Sequence, residues 1–144
     1  MQIRPMTKED CVQVAAIEAA SFSVPWSLNA FTETVEKENF RYFVAEEEGE
    51  ILGYCGILFV LDEAEIPNVC VKSSARKQGV GKKMMNALIE EAKKLGISTL
   101  FLEVRESNEA ARTLYRSLGF VEDGIRKNFY EQPVEHAILM SKAL

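Results

Sequence analysis

The sequence predicts an α/β fold: a central mixed β-sheet of about six to seven strands flanked by about four helices, in one domain over residues 1–144. Three observations predict it. Apolar residues recur at helical spacing from Gly81 to Leu95 and again within Asn108 to Leu118. Between and before these segments stand short runs rich in β-branched and aromatic residues, at 42–45, 51–60, 64–71 and 99–104, the signature of strands. The strand–helix–strand succession implies a parallel pair with a right-handed crossover, and the hairpin signals imply an antiparallel remainder.

Taken in order, Thr7-Lys8-Glu9-Asp10 opens a first helix, with Thr7 as cap and Asp10 completing a capping-box pair. Val12, Val14, Ala15, Ile17 and Ala20 supply its apolar face. Ser21-Phe22-Ser23-Val24-Pro25-Trp26 breaks it, and Ser27 caps a second short helix carrying Phe31 and Val35. Tyr42–Ala45 and Ile51–Val60, joined by the turn signal Glu48-Gly49-Glu50, read as a hairpin. A further strand runs from about Ala64 to Val71. The next helix stops at Gly96 and the last at Gly119, glycine being the residue that fits just past a helix end. Thr99–Val104 is a buried-type strand, and Phe120-Val121 and Ala137–Met140 are the final ones.

Composition narrows the function classes. No stretch approaches the roughly 20 apolar residues that cross a bilayer, and Met1–Met6 lacks the apolar run of a secretory leader. A cytoplasmic protein with no membrane partner is expected. Cys11, Cys55 and Cys70 are odd in number and widely spaced, which fits neither a disulfide framework nor a zinc site. With His136 as the single histidine, no metal is expected. A net charge of −5 argues against direct nucleic-acid binding, which needs a basic stripe to neutralise phosphates. A monomer or weak dimer is expected.

The segment that carries chemistry is Val71-Lys72-Ser73-Ser74-Ala75-Arg76-Lys77-Gln78-Gly79-Val80-Gly81-Lys82, which follows an apolar strand and opens a helix. Its glycines let backbone N–H groups approach an anion without Cβ obstruction. The helix N-terminus adds unpaired donors and a positive dipole end, and Arg76, Lys77 and Lys82 add charge. This reads as a pyrophosphate cradle. It is no Walker loop, because Lys82 is followed by Lys83, and its glycine spacing is not the dinucleotide fingerprint.

Arg76-Lys77-Gln78-Gly79-Val80-Gly81 resembles the Arg/Gln-x-x-Gly-x-Gly/Ala signature of the GNAT acetyltransferase superfamily, and Asn108 to Phe120 resembles that family's Asn-x-x-Ala-x-x-Leu-Tyr-x-x-x-Gly-Phe segment. The resemblance is firm over about Ile66 to Val121. It implies the GNAT fold and acetyl-CoA as co-substrate, with the diphosphate held by Arg76, Lys77, Gln78, Gly79, Val80, Gly81 and Lys82. It further implies that the pantetheine arm pairs with the backbone of Val69, Cys70 and Val71, and that Asn108 makes an extra contact. Asn108 also reads as a helix cap. Within the superfamily three segments are similar to the RimI type, bacterial enzymes that acetylate the N-terminal alanine of ribosomal protein S18: Phe22-Ser23-Val24-Pro25-Trp26-Ser27, Leu102-Glu103-Val104-Arg105 with Asn108, and Arg126-Lys127-Asn128-Phe129-Tyr130. The resemblance implies a protein or peptide N-terminus as acceptor, near Trp26 and Tyr130. Phe129 stands where tyrosine is common, and His136 where an acidic residue is common. Both departures lie toward the acceptor.

Amine acetylation poses two proton problems. An α-amine has a pKa of about 8, so it must lose a proton to attack, and the departing thiolate must gain one. Glu103 reads as the general base. It interrupts an apolar strand that the order of elements makes central, where partial desolvation makes a carboxylate a better base. Strand alternation puts it on the face of Phe101, opposite Leu102. Tyr115 reads as the general acid, because a phenol still carries its proton at neutral pH; the resemblance puts it beside the coenzyme sulfur. Cys70, with no partnered base, reads as packing, and His136 as structural. Two rival readings keep the fold: acetylation of another amine, such as a lysine side chain, a free amino acid or a polyamine, and a non-catalytic acetyl-CoA sensor.

Overall fold

The computed structural model describes residues 1–144, and one sheet organises it. Its strands are β1 (Gln2–Pro5), β2 (Phe40–Glu47), β3 (Glu50–Val60), β4 (Glu63–Glu65), β5 (Val69–Val71), β6 (Thr99–Arg105), β7 (Val121–Glu131) and β8 (Val134–Ala143). The helices are α1 (Cys11–Ser21), α2 (Leu28–Val35), α3 (Val80–Lys94) and α4 (Glu109–Ser117). The sheet order is β1-β2-β3-β4-β6-β8-β7, with β5 paired to β3 off this path. The pairing of β4 with β6 is parallel, as the strand–helix–strand reading requires, and the other pairings are antiparallel.

The strands number eight for two local reasons. Gln2–Pro5 carries one apolar side chain besides its proline, too little for a strand signal, and is recruited by pairing with Val44 and its neighbours. The run Ala64–Val71 is two strands, divided at Ile66-Pro67-Asn68. Pro67 has no N–H and cannot donate to a ladder. The Ile66 N–H makes the last bond to β6, at the Phe101 carbonyl (2.9 Å), and from Val69 onward the chain pairs with β3 alone.

Two apolar clusters cover the two faces. Val80, Met84, Met85, Leu88, Ile89 and Ala92 of α3 pack with Leu100, Leu102 and Val104 of β6 and with Cys55 and Ile57 of β3. On the other face Val14 and Ile17 of α1 and Phe31 of α2 pack with Tyr42, Val44 and Tyr54. The Tyr42 ring lies on Gly56, its cross-strand partner; a Cβ at Gly56 would stand 2.5 Å from that ring. The reason is space: a side chain at 56 would displace a buried aromatic.

The capping box forms at Thr7, around a single 3-10 turn that precedes α1, with the Thr7 N–H donating to Asp10 Oδ2 at 2.7 Å. Asp10 has a second partner that local sequence does not announce. Arg4 donates to both its oxygens, at 2.7 and 2.9 Å, and also to both oxygens of Glu46, at 3.2 and 3.0 Å. One guanidinium thus ties β1 to the start of α1 and to β2.

Hydrogen bonds from Arg4 hold the Asp10 carboxyl below its ordinary range, against the opposing effect of burial. Its stabilisation is therefore complete above the unfolded-chain value of about 3.9 and fades as pH falls through the lower folded value. Asp10→Asn should cost about 1–3 kcal/mol at neutral pH by urea unfolding, and the wild type and variant should converge in strong acid. Equal stability at neutral pH would refute the Arg4 tie.

Candidate active site

The loop between β5 and α3 is built by backbone conformation. Lys77 (φ 63°) and Gly79 (φ 79°) both adopt the left-handed region, and Val80 starts the helix. Glycine takes that conformation freely, whereas Lys77 takes it at a steric cost of about 1–2 kcal/mol. The result is a concave run of amides: no backbone N–H from Lys77 to Lys82 donates to another group of the chain. Such a nest at a helix N-terminus is an anion site. Beside it opens a hollow of about 490 Å³ walled by Lys72, Ser73 and Arg76 and, from α1, by Gln13 and Ile17. A larger hollow of about 810 Å³, near Phe59, Leu61 and Leu95, lies at the far end of α3 and holds none of the candidate groups.

Next to the loop the sheet splits. β3 carries both neighbours: its Leu58–Val60 pairs with β4 and its Gly53–Cys55 with β5. β6 follows β4 for three residues, Thr99–Phe101, and beyond them meets β8 alone. The bonds Gly56 N–H to Asn68 O and Lys72 N–H to Leu52 O turn residues 68, 70 and 72 toward β3. By alternation, the backbone polar groups of Val69 and Val71 point the other way. The bond from Ile66 N–H to Phe101 O fixes the same alternation in β6, so Glu103 and Arg105 turn theirs toward β5. Two strand edges therefore face each other across a cleft without pairing. The Val71 carbonyl accepts from Arg76 Nε at 3.1 Å and from the Cys70 thiol at 3.8 Å.

The ionisable groups gather on both sides of this cleft. In β6 the side chains of Leu100, Leu102 and Val104 are buried against α3, so those of Phe101, Glu103 and Arg105 lie on the opposite face. Glu103 forms an ion pair with Arg126 of β7 at 3.1 Å, and its side chain is 30% exposed. Glu103 was expected to be partly desolvated and is half-buried; its pairing with Arg126 comes from β7, whose position beside β8 no local pattern reveals. Tyr115 packs from α4 into the cluster beneath the other face and is 7% exposed. Burial pushes its hydroxyl above the usual phenol range, with smaller contributions from Cys55, Tyr130 and Cys70. Tyr130 stands between the two. Burial and the Glu103 charge push its hydroxyl up to about 12. The Arg105 guanidinium lies 4.3 Å over the Tyr130 ring and donates to the carbonyls of Pro133 (3.0 Å) and Gln132 (3.3 Å) and to Glu135 (3.2 Å).

The remaining expected residues are placed as follows. Asn108 caps α4, accepting from the Ala111 N–H at 3.1 Å. Cys70 is buried, its backbone directed at β3 and not into the cleft, so of the Val69-Cys70-Val71 trio the valines supply the free edge. Trp26 is half-buried against Phe31 and Tyr42, at 5.4 and 6.5 Å between ring centroids, and no aromatic or polar contact joins it to Tyr130 or Glu103. His136 accepts the Asn128 N–H on Nδ1 at 3.0 Å, pinning the irregular stretch of β7. Sequence reasoning passed over Arg105 and Arg126 as site residues. Arg105 was within reach, since it follows Glu103 by the strand period and must share its face.

Comparison with known proteins agrees with this geometry. The model of the Acetyltransferase (GNAT) family matches residues 11–120. An Escherichia coli protein named [ribosomal protein bS18]-alanine N-acetyltransferase is 39% identical over 127 residues, covering 87% of this chain and 85% of its own. A Bacillus subtilis protein that bears the same name provisionally is 40% identical over 139 residues, 96% of this chain and 92% of its own. The crystal structure of the E. coli ribosomal-protein-S18-alanine N-acetyltransferase superposes with a TM-score of 0.90 at 35% identity, over 99% of this chain and 92% of that one. An amide nest, a split sheet and these relatives meet in one assignment: the chain belongs to the acetyltransferase (GNAT) family.

Proposed function

We propose that this chain is a single-domain, cytoplasmic enzyme that transfers the acetyl group of acetyl-CoA to the N-terminal α-amine of a protein, the alanine of ribosomal protein S18 in particular. The observation that carries the reading is the cleft. Glu103 lies on one face of the strand that borders it, and Tyr115 packs in the cluster beneath the other. Relatives that carry the S18 activity in their names, at 39–40% identity over most of the chain, support the acceptor.

The chain's own groups fit the chemistry. The amides of Lys77–Lys82 meet the diphosphate, with Arg76, Lys77 and Lys82 adding charge, and the free edge of Val69 and Val71 pairs with the amides of the pantetheine arm. Val71 takes up that role by exchanging its bond from Arg76, which frees a guanidinium for the phosphates. Glu103 accepts a proton from the acceptor ammonium, directly or through water. The neutral nitrogen then closes on the thioester carbon as the carbon–sulfur bond breaks, Tyr115 gives its proton to the departing thiolate, and the second proton of the new amide nitrogen returns through water to the phenolate. A phenol raised by burial keeps that proton through the neutral range, as a donor must. Arg126 occupies the place of a cation beside Glu103 until the acceptor ammonium arrives. A half-exposed pair of this kind is worth about 1 kcal/mol or less, so the exchange costs little.

Glu103→Gln and Tyr115→Phe should each lower kcat by about 10²–10⁴, the usual size of a proton-transfer contribution, with CoA affinity by calorimetry unchanged. Full turnover in both would remove the assigned roles. Against peptides beginning Ala, Ser or Met, free lysine and spermidine, the Ala peptide should be acetylated fastest; preference for either small amine would refute the acceptor. At Gly79 an added Cβ meets nothing within 4 Å, so Gly79→Ala acts through the left-handed φ alone. A penalty of one or two kcal/mol corresponds to about 5–30-fold weaker CoA binding, and unaltered binding would show that the nest is not the diphosphate site.

A further inference from the structure

The least economical feature of the fold lies beneath the acceptor side. Glu18, on the last turns of α1, is 3% exposed and has no cationic partner. Burying a carboxyl group is costly unless donors surround it, and an apolar side chain at such a place is often at least as stabilising. Donors do surround it, and they come from three separate parts of the chain. The Tyr54 hydroxyl of β3 donates at 2.5 Å, the Asn68 amide at 3.4 Å to each oxygen, and the Trp26 backbone N–H at 3.0 Å. Asn68 in turn accepts from the Tyr42 hydroxyl at 2.6 Å.

Two of these attachments bear on the site. Asn68 is the last residue before β5, at the vertex where β5 leaves β6, so Glu18 grips the hinge of the cleft. Trp26 ends the Phe22–Trp26 segment, which makes no other hydrogen bond until Ser27 caps α2, apart from the Phe22 N–H that closes α1. Phe22 and Val24 in it are exposed. The face concerned is that of Glu103.

We propose that Glu18 is a positioning residue for the acceptor: through the Trp26 N–H and Asn68 it fixes the α1–α2 segment relative to the vertex of the cleft. The proposal rests on the reading that this segment walls the acceptor side. It acts chiefly on acceptor binding, because the diphosphate grip belongs to the β5–α3 loop, with which Glu18 makes no hydrogen bond. A group that only accepts is required, because all its neighbours donate. Glutamine meets most of that requirement: its oxygen takes the Trp26 N–H, and its amide donates to the Tyr54 oxygen once the phenol turns its own hydrogen away.

Trp26 is the chain's single tryptophan, so its fluorescence reports this segment independently of any activity. Glu18→Ala should shift Trp26 emission to the red and make it more accessible to acrylamide. It should raise KM for an Ala-starting peptide about tenfold, the scale of one hydrogen bond to a charged group, while KM for acetyl-CoA moves less than kcat or not at all. Glu18→Gln should recover most of both losses. In the wild type, hydrogen exchange at the Trp26 amide should be far slower than at Ser23 and Val24. Acceptor and acetyl-CoA KM values rising together in a folded Glu18→Ala variant would overturn the proposal. So would unprotected exchange at Trp26 in the wild type, a measurement that decides the matter even if the alanine variant does not fold. Should the wild type acetylate no peptide, the proposed function fails, while emission and exchange still report on Glu18.

Discussion

The structure depends on an interruption of pairing. β3 runs unbroken past both β4 and β5, yet β6 stays in the ladder only as far as Phe101. Pro67 sits at the break, and beyond it the chain turns the Asn68 carbonyl to Gly56 of β3. Each backbone polar group left over must find a partner or water, so the cleft is a polar slot in an otherwise apolar sheet. A thin chain bearing amides can pair with the Val69 and Val71 edge, whereas a bulky or purely apolar ligand would leave those groups unsatisfied.

The same interruption decides where charge can work. The chain is acidic overall, with a net charge of −5, yet Arg76, Lys77, Lys82 and Lys83 cluster at the positive end of α3. Such local basicity on an acidic body draws an anionic ligand to one mouth of the slot. The other mouth carries Glu103, suited to a cationic amine.

Much of this was legible in the sequence because it is local. The glycines at 79 and 81 mark the tight turn into α3, and the stripe Met84, Met85, Leu88, Ile89 and Ala92 declares the helix behind them. The Ser27 and Asn108 caps need only their neighbours to be read. What stayed hidden is long-range. Arg4 reaches Asp10 and Glu46 through a strand, β1, that exists only once β2 is there to pair with it. β7 runs from Val121 to Glu131 although nearly all of its residues are exposed, so it lacks the alternation that marks a strand; its partner β8 and the His136 bond to Asn128 hold it instead. Arg126 therefore reaches Glu103 by tertiary structure. Glu18 looks like any helix glutamate until Tyr54, Asn68 and Trp26 converge on it.

Burial separates the two groups proposed as acid and base. Tyr115 is enclosed by the α3-side cluster, and desolvation opposes loss of its proton. Glu103 lies on the open face, in an ion pair with the Arg126 guanidinium. A fold that buried both groups alike would weaken the carboxylate's hold on its charge, and one that exposed both would let water compete at the sulfur. Placing them on opposite faces of a split sheet gives each its own dielectric surroundings. The interruption of pairing beside Pro67 thus leaves a buried phenol and a half-exposed carboxylate on the two faces of one split sheet.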